Sequence, residues 1–65
     1  MKKIKDIKNG NLFILDGRFA HMKMGWNEET NKIEARNLYT QEIVSLSLNY
    51  LVEPISAKEA KQINY

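Results

Sequence analysis

The sequence predicts a small, mainly β domain: an antiparallel barrel or curved sheet of four to five strands with a short C-terminal helix. Three observations predict this fold class. Short apolar runs alternate with polar residues at period two, tight-turn signals separate them, and only the last segment has the composition of a helix. The 65 residues are expected to form a single domain, 1–65, and no cysteine is present to cross-link it.

The first elements follow from the turn signals in chain order. Residues 2–8 alternate lysine and isoleucine and predict a short strand or a single helical turn. The run 12–15 (LFIL) is a compact apolar strand. Asp16-Gly17 follows it directly and predicts a type I′ hairpin turn, because both central positions of that turn need a positive φ. The return strand is expected over 18–24.

The second half of the chain repeats the pattern. A polar loop is expected over 25–32, and strands are predicted over 33–39 and 42–48. Residues 49–54 lead into a short closing stretch, in which Pro54 belongs at an edge or a strand end because it lacks an N–H. We expect the strands to form an SH3-like barrel; an open meander that pairs with a second copy is the alternative.

The last segment predicts a helix. Ser56-Ala57-Lys58-Glu59 is a capping box, and strong helix formers follow it. The helix is expected from residue 57 toward Ile63. It is too short to hold alone, so we expect it to dock through Ala60 and Ile63.

Alternation assigns the strand faces. In the return strand, Ala20, Met22 and Met24 are expected to face the core, with Phe19, His21 and Lys23 outward. The later strands are expected to place Ile33, Ala35, Val44, Leu46 and Leu48 inside and Ile43 outside.

The run 12–15 departs from alternation because it is apolar on both faces. Phe13 and Leu15 are therefore expected on an outer patch beside Phe19 and Ile43. A monomer of this size does not normally leave such a patch in water. The sequence thus predicts a homodimer with Phe13, Leu15, Phe19 and Ile43 in its interface.

The candidate partner-binding residues lie mostly in the stretch 17–26 (GRFAHMKMGW). Cations on neighbouring strands would form a strip suited to a phosphate or an acidic partner surface, or would instead pair with Glu34 or Glu42 across the sheet. Trp26 either caps the barrel or stands exposed as a binding anchor. The predicted binding set is Arg18, His21, Lys23, Trp26 and Arg36.

Composition excludes several classes of activity. The single His21 has no Ser, Cys or paired carboxylate at a spacing that would complete a catalytic set, so no enzyme is expected. Zero cysteines and one histidine exclude thiolate and His-rich metal sites, and no cofactor is expected. The basic N-terminus lacks an apolar segment behind it and no run reaches membrane-spanning length. We expect a cytoplasmic protein without membrane contact.

A scattered pattern resembles a known group of sequences. Residues 3–13 follow the layout K-I-x-x-I-x-x-G-x-x-F, followed by Met22-Lys23, by 37–42 (N-L-x-T-x-E) and by 52–55 (V-E-P-I). This layout resembles short reading frames of phages and prophages, although Gln41 stands where that group often has a turn glycine. The resemblance implies an SH3-like barrel in the cytoplasm of a bacterial host. It also implies a role similar to phage inhibitors of bacterial immunity, with a host protein, a nucleotide signal or a protein–nucleic-acid complex as partner.

These inferences lead to two hypotheses from different classes. The first is a non-enzymatic binding protein of phage origin that blocks a host factor, such as a defence component, by occupancy. The alternative is a nucleic-acid-binding barrel that uses the cationic strip and the lysines at positions 2, 3, 5 and 8. Salt separates the two, because binding to nucleic acid weakens steeply as salt rises. A structural part without any ligand is a third possibility.

Overall fold

The computed structural model describes residues 1–56, which form a six-stranded antiparallel sheet. The elements are β1 (Lys2–Lys3), a 3₁₀ turn (Ile4–Asp6), β2 (Leu12–Leu15), β3 (Phe19–Asn27), β4 (Lys32–Asn37), β5 (Ile43–Leu46) and β6 (Leu51–Ile55). The strand order is β1-β6-β2-β3-β4-β5. The mainly β prediction is confirmed, with six strands in place of four or five, and the sheet is not closed. The predicted helix from residue 57 lies outside the described residues.

The β2–β3 hairpin has the predicted turn. Asp16 and Gly17 have φ values of 53° and 72°, and the N–H of Arg18 donates to the Leu15 carbonyl at 3.2 Å. Positive φ at both central positions is the signature of type I′, whose twist matches that of the flanking strands. Leu15 pairs with Phe19, so β3 begins one residue later than predicted.

The main core lies on the sheet face that carries Phe13. Cross-strand pairs place Phe13 beside His21, Lys23 beside Ala35, and Ala35 beside Val44, so these side chains share a face. The buried apolar cluster on this face comprises Ile4, Ile7, Phe13, Ile33, Ala35, Leu46 and Val52. Leu46 of β5, at one end of the strand order, shares this cluster with Val52 of β6 and with Ile4 of the 3₁₀ turn, so the sheet curls around one core.

Two backbone hydrogen bonds support this curl. The N–H of Ile4 donates to the carbonyl of Tyr50 at 2.8 Å, and the N–H of Lys5 donates to the carbonyl of Leu48 at 3.2 Å. The Tyr50 hydroxyl also donates to an oxygen of Asp16, 2.5 Å away. The 3₁₀ turn and the β2–β3 turn are thus both tied to the segment that joins β5 to β6.

A smaller apolar cluster occupies the opposite face. Ile14 and Ala20, which are cross-strand partners, are buried there, and Leu12, Leu38 and Ile55 pack against them. This second cluster explains why residues 12–15 are apolar on both faces. Each face of β2 is covered by side chains of the same subunit, which satisfies the requirement of a doubly buried strand without a partner.

Several face predictions are therefore wrong. Phe13 was expected outside but is fully enclosed by its own subunit, and His21 and Lys23 are only 3% and 6% exposed. Met24 was expected in the core and is exposed. Period two fixes which residues share a face, but it does not say which face is inside when both are covered. For β5 the prediction is confirmed, since Leu46 is buried and Ile43 is exposed.

Candidate functional site

The five predicted binding residues do not share one surface, and the four cations among them, Arg18, His21, Lys23 and Arg36, do not form the predicted strip. Arg18 is exposed at the β2–β3 turn, whereas Trp26 lies near the far end of β3. They are eight residue steps apart along nearly extended chain, a span of about 25 Å. His21 and Lys23 point into the core, and Arg36 lies on the opposite face, paired in register with Met22.

His21 is a core residue. Its ring stacks on Phe13, with centroids 5.7 Å apart and planes inclined by 20°. Its Nδ1 lies 2.9 Å from the carbonyl of Phe19. Because a carbonyl only accepts, Nδ1 carries the hydrogen and donates it. These contacts fix the imidazole within the sheet and give it a structural role in place of the predicted binding role.

Lys23 joins the N-terminal segment to β3. Its ammonium donates to the carbonyl of Ile7 and reaches the carbonyl of Lys5 at 3.4 Å. Burial lowers the pKa of Lys23, and the neighbouring carboxylate of Asp6 opposes that shift by favouring the charged form. The side chain therefore supplies donors to carbonyls at the end of the 3₁₀ turn, which have few backbone partners there.

Trp26 and Arg36 lie apart from each other and from the turn. Trp26 is 57% exposed, lies opposite the buried Ile33 in the register of the sheet, and donates its indole N–H to the side-chain oxygen of Asn31 at 3.0 Å. Arg36 lies between Met22 and Ile43 in the register of the sheet. Its Nε is enclosed and has no hydrogen-bond partner among the described residues.

An exposed aromatic platform stands at the turn end of β3. We use this name for Arg18, Phe19 and Tyr39. The rings of Phe19 and Tyr39 stack with centroids 5.6 Å apart and planes inclined by 16°. The guanidinium carbon of Arg18 lies 5.7 Å from the Phe19 centroid, within cation–π range. Phe19 and Tyr39 remain 37% and 63% exposed.

The backbone around the platform is well fixed. Phe19 is held in the β2–β3 ladder opposite Leu15. The side-chain oxygen of Asn37 accepts from the N–H of Tyr39 at 2.7 Å and from that of Thr40 at 3.1 Å. A binding partner would meet rings that are already positioned, so the entropy of ordering this loop is not lost on binding.

The sequence analysis did not group these three residues, although the order of the turns along the chain indicates that they lie close together. In an antiparallel meander, alternate turns lie at the same end of the sheet. The β2–β3 and β4–β5 turns therefore share one end, and this brings Arg18 and Phe19 beside Tyr39. The β3–β4 turn, next to Trp26, lies at the other end.

A shallow cleft of about 230 Å³ lies near the N-terminus. It is lined by the apolar residues Ile7, Leu12, Pro54 and Ile55 and by the polar residues Lys2, Asp6, Lys8 and Asn11. The lining carries both signs of charge, and Asp6 offsets part of the field of the two lysines. This cleft therefore has no strong preference for an anion.

Within residues 1–56, no group of three or more His, Asp or Glu side chains is placed to hold a metal ion. Over the same residues, no helix is long and apolar enough to cross a membrane. No family model, curated protein or solved structure matches the chain.

Proposed function

We propose that the chain is a small non-enzymatic recognition protein that binds a partner protein through the aromatic platform. The observation that carries this proposal is the exposed, stacked pair of Phe19 and Tyr39 with Arg18 against it. Tyrosine and arginine are among the residue types that dominate binding hot spots. The partner would offer an acidic group to Arg18 and an apolar or aromatic side chain to the open surface of Tyr39.

Charge placement favours a protein partner over nucleic acid. Arg18 is the platform's own cation, whereas the lysines at positions 2 and 3 lie on β1, at the start of the strand order and apart from β3. Binding to nucleic acid needs several phosphate contacts along one surface. One guanidinium beside two aromatic rings is better suited to an anchor in a protein interface.

The finer fold and the biological role belong to the same proposal. We assign the curled sheet to the SH3-like barrel class, in a partly open form. The meander β2–β5, the return of β6 to pair with β2, and the shared core support this assignment. The resemblance to phage reading frames supports an inhibitor that acts by occupancy in the cytoplasm of a bacterial host, with a defence component as its target.

The experiment compares variants of the full chain as bait for a bacterial lysate, with captured proteins identified by mass spectrometry and their affinities measured by calorimetry. Tyr39→Ala and Arg18→Ala are expected to weaken the same interaction. A hot-spot truncation costs about 2 kcal/mol, which is about 30-fold in Kd. Trp26→Ala removes an equally exposed aromatic from the other end of β3 and is the matched control.

Two results would reject the proposal. One is capture of a partner that depends on Trp26 and is indifferent to Tyr39 and Arg18. The other is binding of single-stranded DNA or RNA, measured by fluorescence anisotropy, that requires Tyr39 and falls steeply as salt rises. That second result would establish the nucleic-acid-binding barrel instead. Circular dichroism of each variant confirms that a lost interaction is not a lost fold.

A further inference from the structure

The two edges of the sheet differ in chemistry. β1, at one edge, is two residues long and consists of Lys2 and Lys3, both exposed. Short, lysine-bearing edge strands are a common protection against pairing with another chain. β5, at the other edge, has the sequence Ile-Val-Ser-Leu, without a charge or a proline. No strand of residues 1–56 pairs with its outer side.

The ladder between β4 and β5 shows which backbone groups of β5 are free. In an antiparallel pair, residues that exchange hydrogen bonds alternate with residues that do not. The N–H of Asn37 donates to the carbonyl of Glu42 at 2.8 Å, which sets the phase of this alternation. Val44 and Leu46 therefore direct their N–H and C=O groups toward β4. Ile43 and Ser45 direct theirs out of the sheet.

We propose that this edge pairs with the β5 strand of a second copy of the chain, antiparallel, about a two-fold axis at Val44. Ile43 of each copy then lies opposite Ser45 of the other and exchanges both backbone hydrogen bonds with it. Four hydrogen bonds form, and the two six-stranded sheets become one sheet of twelve strands. The proposal is independent of the aromatic platform.

A second copy fits this edge better than a foreign strand for two reasons. The pairing is self-complementary because β5 has no charged residue that would face a like charge in the second copy. Each Ile43, which is 51% exposed, would also become partly buried near the axis. β5 carries no charged residue, so the net charge of +2 on each copy places no like charges against each other along the paired strands. A two-fold contact also uses the β5 edge of both copies, so the assembly stops at a dimer. The short, lysine-bearing β1 at the remaining edge disfavours the addition of further copies.

The sequence-based dimer interface is thereby replaced. Of its four residues, Phe13 is enclosed in the core, and Leu15 packs against that same core. Phe19 is part of the aromatic platform. Ile43 alone lies on the free edge.

Two substitutions test the proposal by sedimentation equilibrium over micromolar to millimolar concentrations. Ser45→Pro removes an N–H that points out of the sheet, which an edge strand tolerates, but it deletes two of the four intermolecular hydrogen bonds. Ile43→Lys places two like charges near the axis. Wild type is expected at twice 7.6 kDa, and both variants at 7.6 kDa under the same conditions.

Two controls separate the edge from general effects. Ser45→Thr keeps the N–H and is expected to remain dimeric. Leu51→Lys makes the same change as Ile43→Lys at a residue of equal exposure, 53%, on β6 and is also expected to remain dimeric. If Ser45→Pro fails to fold by circular dichroism, Ile43→Lys and its control still decide the question.

Amide hydrogen exchange gives an independent readout. The N–H groups of Ile43 and Ser45 are expected to gain at least about tenfold protection as concentration rises through the dimerisation range. A wild type that stays monomeric throughout overturns the proposal, and so does a dimer that survives both Ser45→Pro and Ile43→Lys. Protection of these two amides only when another protein is added would assign the edge to a foreign strand, which also overturns it.

Discussion

Replacing Lys23 with methionine tests whether its buried ammonium holds the N-terminal segment on the sheet. Methionine keeps most of the apolar stem and removes the donors to the carbonyls of Ile7 and Lys5. The 3.4 Å contact with Lys5 is beyond ordinary hydrogen-bond range and contributes little. The contact with Ile7 carries the effect.

The expected magnitude follows from that one contact. A hydrogen bond from a charged donor contributes about 1.5–3 kcal/mol, and a buried carbonyl left without a donor costs about 1–3 kcal/mol. Methionine recovers the cost of burying the ammonium, which offsets part of the loss. We therefore expect Lys23→Met to lower the free energy of unfolding by about 1–3 kcal/mol. For a chain of this size, each kcal/mol lost lowers Tm by roughly 4–8 °C.

The assay is urea unfolding followed by far-ultraviolet circular dichroism, with Lys32→Met as the control because Lys32 is an exposed lysine of β4. Amide exchange should also accelerate selectively at Ile4 and Lys5, whose N–H groups bond to the β5–β6 segment. Equal stability of Lys23→Met and Lys32→Met, with unchanged exchange at Ile4 and Lys5, would refute the reasoning.

The dependence of stability on alkaline pH tests a different property of Lys23, the cost of burying its charge. Because burial lowers the pKa of Lys23 in the folded state, the unfolded chain binds more protons between that lowered value and the ordinary 10.5. The contribution of Lys23 to the free energy of unfolding therefore rises with pH across this window. We expect the rise in wild type and its absence in Lys23→Met, by urea unfolding at a series of pH values.

Three further predictions follow from individual contacts. Phe13→Ala is expected to lower the free energy of unfolding by about 3–5 kcal/mol and to abolish the cooperative thermal transition. The control Phe19→Ala is expected to stay folded. A near-normal transition for Phe13→Ala would contradict the assignment of Phe13 to the core. Gly17→Ala is expected to lower the free energy of unfolding by about 1–2 kcal/mol, because alanine disfavours the φ of +72° at this position. No atom lies within 4 Å of the added methyl, so a steric clash does not contribute. An unchanged Tm would argue against the left-handed turn. The hydrogen bond to Asp16, with smaller effects of burial and charge, raises the pKa of Tyr50 in the folded state. The contribution of this hydrogen bond to the free energy of unfolding is therefore complete below the ordinary pKa of 10.0 and is lost as pH rises through the raised pKa. Absorbance titration should show the highest tyrosinate step in wild type and lose it in Tyr50→Phe; an identical titration of both would count against the Asp16 contact.

Local signals predicted those parts of the fold that depend on neighbouring residues. Asp16-Gly17 predicted the hairpin because positive φ is a property of the residues themselves. The stretch 2–8 was expected to be a strand or a helical turn, and it contains one of each. The bounds of β3 were less accurate, because the register shift between Lys23 and Gly25 carries the strand on through Trp26.

The sequence indicated which types of residue the candidate site contains, but it did not predict which residues lie together. Arg18 was identified as a binding residue, and it belongs to the aromatic platform. Phe19 was assigned to a dimer patch, and Tyr39 was not among the predicted site residues. Their stacking depends on two turns meeting at one end of the sheet, which is a property of the strand order. A sequence pattern of period two carries no information on that order.

The sequence by itself determined the mainly β class, the approximate positions of four strands and the type I′ turn, because alternation and turn chemistry act within a few residues. Only the tertiary structure decided which face is the core. The segment Ile4–Ile7 packs over Phe13, which encloses that ring and allows the ammonium of Lys23 to reach backbone carbonyls inside the fold. Burial is set by what covers a face, and the covering residues are distant in the chain.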